Sequence, residues 1–251
     1  MNSSRELATE WTLKLSPRPD AWNIEPVKDG HNAWRNDPTK FVRKELPESF
    51  KATVPGCIHT DLIDAKFIDD ISINGKEQDQ FWLWKTDSVY STTIPQDTSG
   101  GHKDLIFKGL DTIATISING TVRLTTKNMH RSYRLDISQD IAQGDLRLEI
   151  AFKAPLTDAE EHVAELGLFP RPYDMPYNYF RKMACSFGWD WGPITVTSGI
   201  WKPIWLTKWD EGILDEVGII ADVVNGMPQL RVRTVGRGDA TVVLVRISGH
   251  G

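Results

Sequence analysis

The dipeptide Asn119-Gly120, set between the runs Ile113–Ile118 and 121–126, is the strongest constraint on what this chain can fold into. A type I′ turn needs positive φ at both central positions, and its twist matches that of paired strands, so Asn-Gly between alternating runs specifies a hairpin. Ile116, Ile118, Val122 and Leu124 keep a period of two, which predicts one shared inward face. Further strand-like runs lie at 9–15, 50–54, 82–94, 105–110, 133–137, 145–152, 194–197 and 203–208. Only two helices are expected. One spans 58–66; the other spans 158–166, with Thr157 as its N-cap and acids in its first turn. Many short strands joined by Gly-, Pro- and Asn-rich loops predict an all-β fold, a jelly-roll β-sandwich.

Two segments interrupt this pattern. Residues 21–47 are polar and aperiodic. Residues 169–193 place Pro170, Pro172, Pro176 and Pro193 among aromatic side chains, too proline-rich for a regular element and too aromatic for a solvated linker. A boundary is expected near Trp209-Asp210-Glu211-Gly212, which makes residues 1–210 one domain. Beyond it, 213–221, 229–235 and 241–247 read as three strands, with Asn225-Gly226 as a turn. Residues 211–251 are too few for an independent sandwich, which takes about 100 residues, so they read as the opening of a second, partial one. The 251 residues leave no room for a (β/α)8 barrel beside these domains, since a barrel alone takes about 250.

Thirty-four acidic and 29 basic side chains give a net charge of −5, which argues against a nucleic-acid partner. No apolar run reaches the roughly 18 residues of a membrane span, so no membrane partner is expected. The N-terminus lacks a secretory h-region. Cys57 and Cys185 are too few for a disulfide framework and read as small buried hydrophobes. These points predict a cytoplasmic protein.

Five of the ten tryptophans fall between Trp189 and Trp209. Phe187-Gly188-Trp189-Asp190-Trp191-Gly192-Pro193 surrounds one carboxylate with three bulky rings. Aromatic faces complement the C–H face of a pyranose. A carboxylate accepts strong hydrogen bonds from neighbouring hydroxyls. One reading is therefore a sugar-contact loop, with Asp190 gripping hydroxyls and Trp189 or Trp191 forming a wall. The other is that the tryptophans pack the core and Asp190 caps a turn. Arg181, just before the motif, is a further candidate contact through stacking on an aromatic face or pairing with Asp190.

Other chemistry is not indicated. The adjacent acids Asp69-Asp70 and Glu160-Glu161 point apart and read as surface residues. The six histidines include no metal-binding pair at helical spacing. Nucleophile-elbow, Walker and dinucleotide motifs are absent, and no cofactor or metal is expected. His59 with Asp61 suggests a base and its orienter, but their position marks the start of a short helix instead.

At these residues the chain resembles the N-terminal part of β-mannosidases of glycoside hydrolase family 2. The segments that carry the resemblance are Val54-Pro55-Gly56-Cys57-Ile58-His59-Thr60-Asp61-Leu62, Phe107-Lys108-Gly109-Leu110-Asp111-Thr112, Asn128-Met129-His130-Arg131-Ser132-Tyr133, Phe187–Pro193 and Ser198-Gly199-Ile200-Trp201-Lys202-Pro203. The Gly-Leu-Asp and Gly-Ile-Trp pieces are similar to the wider family, including β-galactosidases and β-glucuronidases. The Trp-Asp-Trp motif resembles the mannosidases.

The resemblance implies a galactose-binding-like jelly roll followed by the first strands of an immunoglobulin-like sandwich. It implies that Asp190 binds hydroxyls of a terminal mannose while Trp189 and Trp191 shape the pocket. The implied partners are a β-mannoside or manno-oligosaccharide substrate and a catalytic barrel. The family's acid/base glutamate follows an asparagine, and no Asn-Glu dipeptide occurs here. The chain alone is therefore expected to be inactive. A free-standing carbohydrate-binding module and a purely structural domain are the rival readings.

Overall fold

The computed structural model describes residues 2–22, 45–73, 76–172, 175–189 and 192–239, with Leu244, Arg246 and Ser248. Its strands are β1 (Ser3–Glu6), β2 (Trp11–Pro17), β3 (Phe50–Ala52), β4 (Thr86–Ile94), β5 (His102–Phe107), β6 (Ile113–Ile118), β7 (Thr121–Lys127), β8 (Tyr133–Asp136), β9 (Leu146–Phe152), β10 (Ile204–Trp209), β11 (Gly212–Val224) and β12 (Met227–Gly238). They form an antiparallel sheet in the order β3-β2-β4-β9-β6-β7, a second in the order β1-β10-β5-β8, and the separate ribbon β11-β12. The first two sheets make the all-β sandwich. Leu13, Tyr90, Leu148 and Ile150 from one meet Leu105, Phe107, Ile204 and Leu206 from the other in one buried core. Each such side chain contributes about 1.5–3 kcal/mol of burial free energy.

The Asn-Gly turns form as the sequence predicts. Asn119 and Gly120 have φ of 49° and 81°, and Asn225 and Gly226 have 53° and 77°. The shared inward face does not. Ile116 pairs with Leu124, but Ser117 pairs with Val122, so Arg123 is an extra residue in β7. This bulge turns Val122 outward, because a one-residue slip exchanges the two faces of a strand.

Other expectations need correction. The run 82–94 is divided: Gln78–Lys85 is a 3₁₀ turn, and the strand starts at Thr86. Trp82, Leu83 and Trp84 are all buried, a pattern no half-exposed strand can satisfy. Residues 194–197 form no strand, and Val196 instead packs into a second core described below. Thr157 is not a cap. Helix α3 (Pro155–Leu166) follows α1 (Ile58–Asp64) and the unforeseen α2 (Ser138–Gln143), and starts with Pro155 in its first turn, where a fixed φ and a missing N–H cost nothing. Cys57 and Cys185 are half-buried and free rather than buried, and Cys57 serves as the N-cap of α1.

The segment 198–200 is threaded between α1 and the β5–β6 connection. Ser198 accepts from the Ile58 N–H at 3.0 Å and Ile200 from that of Gly56 at 2.8 Å, while Gly199 and Asp111 exchange bonds of 2.9 and 3.0 Å. A Cβ on Gly199 would lie 2.7 Å from Cys57 Cα, so only glycine fits there.

The β11–β12 ribbon is stitched to the sandwich by Arg237. Its guanidinium reaches buried Asp104 at 2.8 Å, pairs with Asp215 at 2.5 Å and lies 4.8 Å over Trp209. Trp209 Nε1 also donates to Asp104, at 2.9 Å. Arg237→Met leaves Asp104 with Trp209 and Arg134 as donors, so a loss of about 1.5–3 kcal/mol is expected in urea unfolding. A change below about 0.5 kcal/mol would make this a surface pair.

His59 and Asp61 are both buried on α1 but face different partners. His59 Nδ1 lies 2.9 Å from Thr197 Oγ1. Asp61 accepts from the Thr53 N–H at 2.8 Å and the Tyr90 hydroxyl at 3.0 Å. They form no catalytic dyad. Burial, followed by the nearby Lys182 charge, pushes the His59 imidazole down to about 4. Burial outweighs the two donors and pushes the Asp61 carboxyl up to about 6.

The two groups act oppositely on stability. As pH falls from 6.5 towards 4, the unfolded chain protonates His59 and the folded chain does not, which destabilises the fold. Over a similar interval the folded chain protonates Asp61 before the unfolded one does, which stabilises it. Each effect is about 3 kcal/mol. Relative to the parent chain, Asp61→Asn should lose stability and His59→Gln should gain it between pH 7 and pH 4. Urea midpoints at the two pH values test this, and parallel shifts in both variants would contradict it.

Candidate functional site

The aromatic segment begins where α3 ends. Gly167, at φ 79°, turns the chain out of the helix. Tyr179 then closes the next turn: its hydroxyl donates to the Gly167 carbonyl and accepts from the Phe169 N–H at 2.9 Å. The Phe169 and Tyr179 rings stack at 5.1 Å.

Beneath this loop lies a second apolar core. Phe187, Ile194, Val196 and Met175 from the loop pack with Phe81 and Trp84 of the 3₁₀ turn and Leu156 of α3. Phe81 and Trp84 meet at 4.0 Å between ring centroids. Phe81 and Trp84 of that turn and the loop's apolar side chains are thus two halves of one packing unit. This core explains why a proline-rich loop needs no sheet to hold its shape.

Both feet of the loop are tied to the sandwich. Arg181 forms a parallel bridge with Asn128, and its carbonyl accepts from the Met129 N–H at 3.1 Å. Trp201 Nε1 donates to the Met129 carbonyl at 3.1 Å. Lys182 is buried and bonded to the Asp111 carboxylate and, at 2.8 Å, to the Thr197 carbonyl. In the sequence Asp111 stood out only as the end of the Gly-Leu-Asp motif and Lys182 belonged to no motif; 71 residues separate the two.

Trp189 faces Gly192 across an isolated antiparallel bridge and remains 39% exposed. An indole held at the surface beside a buried apolar core is suited to a flat ligand face. Arg181 is exposed at the loop's foot, several residues before Trp189 and the 3₁₀ turn Ala184–Phe187. Asp190 and Trp191 lie outside the described residues.

Of the adjacent acids, Asp69 pairs with Lys76 at 2.8 Å, Glu160 with buried Lys85 at 2.8 Å and Glu161 with Lys153, while Asp70 accepts from the Ser72 N–H at 2.8 Å. Among the described residues, no three His, Cys, Asp or Glu side chains gather to hold a metal, and no helix is long and apolar enough to cross a membrane.

Comparison with known proteins agrees with this architecture. The chain is 33% identical over 165 residues to the β-mannosidase of Bos taurus, a match covering 61% of this chain and 19% of that protein. It superposes on the solved β-D-mannosidase of Dictyoglomus thermophilum with a TM-score of 0.73 and 27% identity, covering 92% of this chain and 26% of that one. The β-glucuronidase of Ruminococcus gnavus shares the fold at a TM-score of 0.55 and 15% identity. The chain therefore spans about a fifth to a quarter of the length of the β-mannosidases it matches. The family model of the glycosyl hydrolase 2 galactose-binding domain-like family matches residues 24–202, and the chain belongs to that family.

Proposed function

We propose that this chain is the substrate-recognition portion of a β-mannosidase-like glycoside hydrolase. In this reading the parent reaction removes terminal non-reducing β-D-mannose with retention of configuration. The two catalytic carboxylates of such a reaction lie about 5–5.5 Å apart and belong to a catalytic barrel beyond these residues. Residues 1–210 form the sugar-binding domain, and residues 211–251 open an immunoglobulin-like one. Asp190 accepts hydrogen bonds from mannose hydroxyls, Trp189 and Trp191 wall the sugar, and Arg181 lies at the rim.

The observation that carries this reading is the exposed Trp189 on a loop built over its own buried core. A core-packing role for the motif's aromatics accounts for Phe187, which is buried, but not for Trp189. The same observation favours a second reading, a free-standing sugar-binding module. We favour the half-site, because small-ligand pockets bury roughly 70–90% of their ligand and one projecting loop cannot.

Two measurements test the proposal. The 251-residue chain is expected to give no turnover of an aryl β-mannoside; turnover abolished by a point substitution within the chain would overturn that. In the complete enzyme, Asp190→Ala should lower kcat/KM by roughly 10- to 150-fold, the value of a lost hydrogen bond to a charged group. An unchanged kcat/KM would leave only a structural domain.

A further inference from the structure

We propose that Lys182 is a positioning residue for the Trp189-bearing loop, through one ammonium group that closes both of its feet; the importance of that position for sugar contact rests on the reading above. The Lys182 side chain has no exposed surface. Its ammonium group reaches three parts of the molecule. Lys182 itself opens the Trp189-bearing part of the loop, the Thr197 carbonyl ends it, and the Asp111 carboxylate belongs to the connection between β5 and β6. The enclosed segment holds the 3₁₀ turn Ala184–Phe187 and Trp189.

Backbone bonds converge on the same place. Asp111 exchanges two bonds with Gly199, just past the segment's end, and the Met129 N–H donates to the Arg181 carbonyl, just before its start. Met183 N–H approaches Met129 Sδ at 3.1 Å. His59 meets Thr197 from the α1 side at 2.9 Å.

Burying an ammonium group is costly unless it is paired and hydrogen-bonded. That cost is met only when both feet and Asp111 are assembled together. Detachment at the Lys182 foot would strand the buried Asp111 carboxylate, and detachment at the Thr197 foot would leave the buried ammonium one acceptor short. The geometry therefore makes the loop's closed base an all-or-none arrangement, which fixes where the segment between the feet is presented. Asp111, the last residue of the Gly-Leu-Asp motif, is the fixed end of the anchor.

Hydrogen exchange on the 251-residue chain tests this, comparing it with Lys182→Met and Asp111→Asn. The amides of Ser186 and Gly188 donate within the loop, to Met183 and Cys185. Lys182→Met is expected to speed their exchange at least tenfold while Tyr90 and Ile150, in the central strands β4 and β9, keep their parent rates. Asp111→Asn, which retains the side-chain shape, should give the same local pattern at smaller amplitude.

Acceleration spread evenly over loop and sheet would overturn the proposal, as would no acceleration in either variant. If Lys182→Met does not fold, Asp111→Asn decides by the same pattern. Loss of the cooperative fold in both also overturns it, since the pair would then hold the sandwich rather than the loop. The readout involves no sugar. Its failure removes the anchoring role and leaves the sugar reading to the kinetics of the Asp190→Ala enzyme.

Discussion

The buried contact between Lys182 and Asp111 is the constraint to which the placement of the aromatic loop on the sandwich answers. It joins the aromatic loop to the sandwich across 71 residues of sequence. A hydrophobic contact in that place would bury surface without specifying which atoms meet. An ion pair with a carbonyl as a third partner has a narrow geometry, and the penalty for missing it is steep. The pair is best understood as a device for specificity of arrangement, with the two apolar cores supplying the stability.

Those cores have different tasks. The larger one lies between the sheets and includes Leu13, Tyr90, Leu105 and Ile150. The smaller one lies under the loop and includes Phe81, Trp84, Phe187 and Val196. The sandwich makes a rigid base, and the small core raises an irregular segment above it. Irregular segments present functional side chains well when a scaffold holds them. Here the scaffold contributes Asp111, Met129 and the β5–β6 connection, and the loop contributes the exposed indole. Arg237 has a comparable role at the other end, where Asp104 and Trp209 receive the ribbon β11–β12.

Features governed by near neighbours in the chain were legible in the sequence. Asn119-Gly120 and Asn225-Gly226 form their turns because positive φ is a local property of those residues. The alternating burial of β2 and β9 follows from the period of the side chains. The all-β class followed from the number of such runs. Features governed by tertiary packing were hidden. The run at 82–84 read as strand, yet its residues are divided between two cores: Trp82 and Leu83 join the larger, and Trp84 the smaller. The outward turn of Val122 depends on a bulge that hydropathy does not mark. Nothing in the sequence sets Lys182 apart from its neighbour Arg181, and only the fold separates them, one buried and the other exposed. Trp189 was legible as a candidate, because an aromatic motif flanked by glycines is conspicuous in sequence.

The central claim is that this chain forms one side of a sugar site rather than a complete one. Titration of the 251-residue chain with mannose and manno-oligosaccharides, followed by tryptophan fluorescence and calorimetry, tests it most directly. The account predicts no saturation at sugar concentrations up to about 1 mM, where a binding free energy of only about −4 kcal/mol would already be detected. Saturable binding below that concentration, abolished by Asp190→Ala, would contradict it and establish a self-sufficient carbohydrate-binding module.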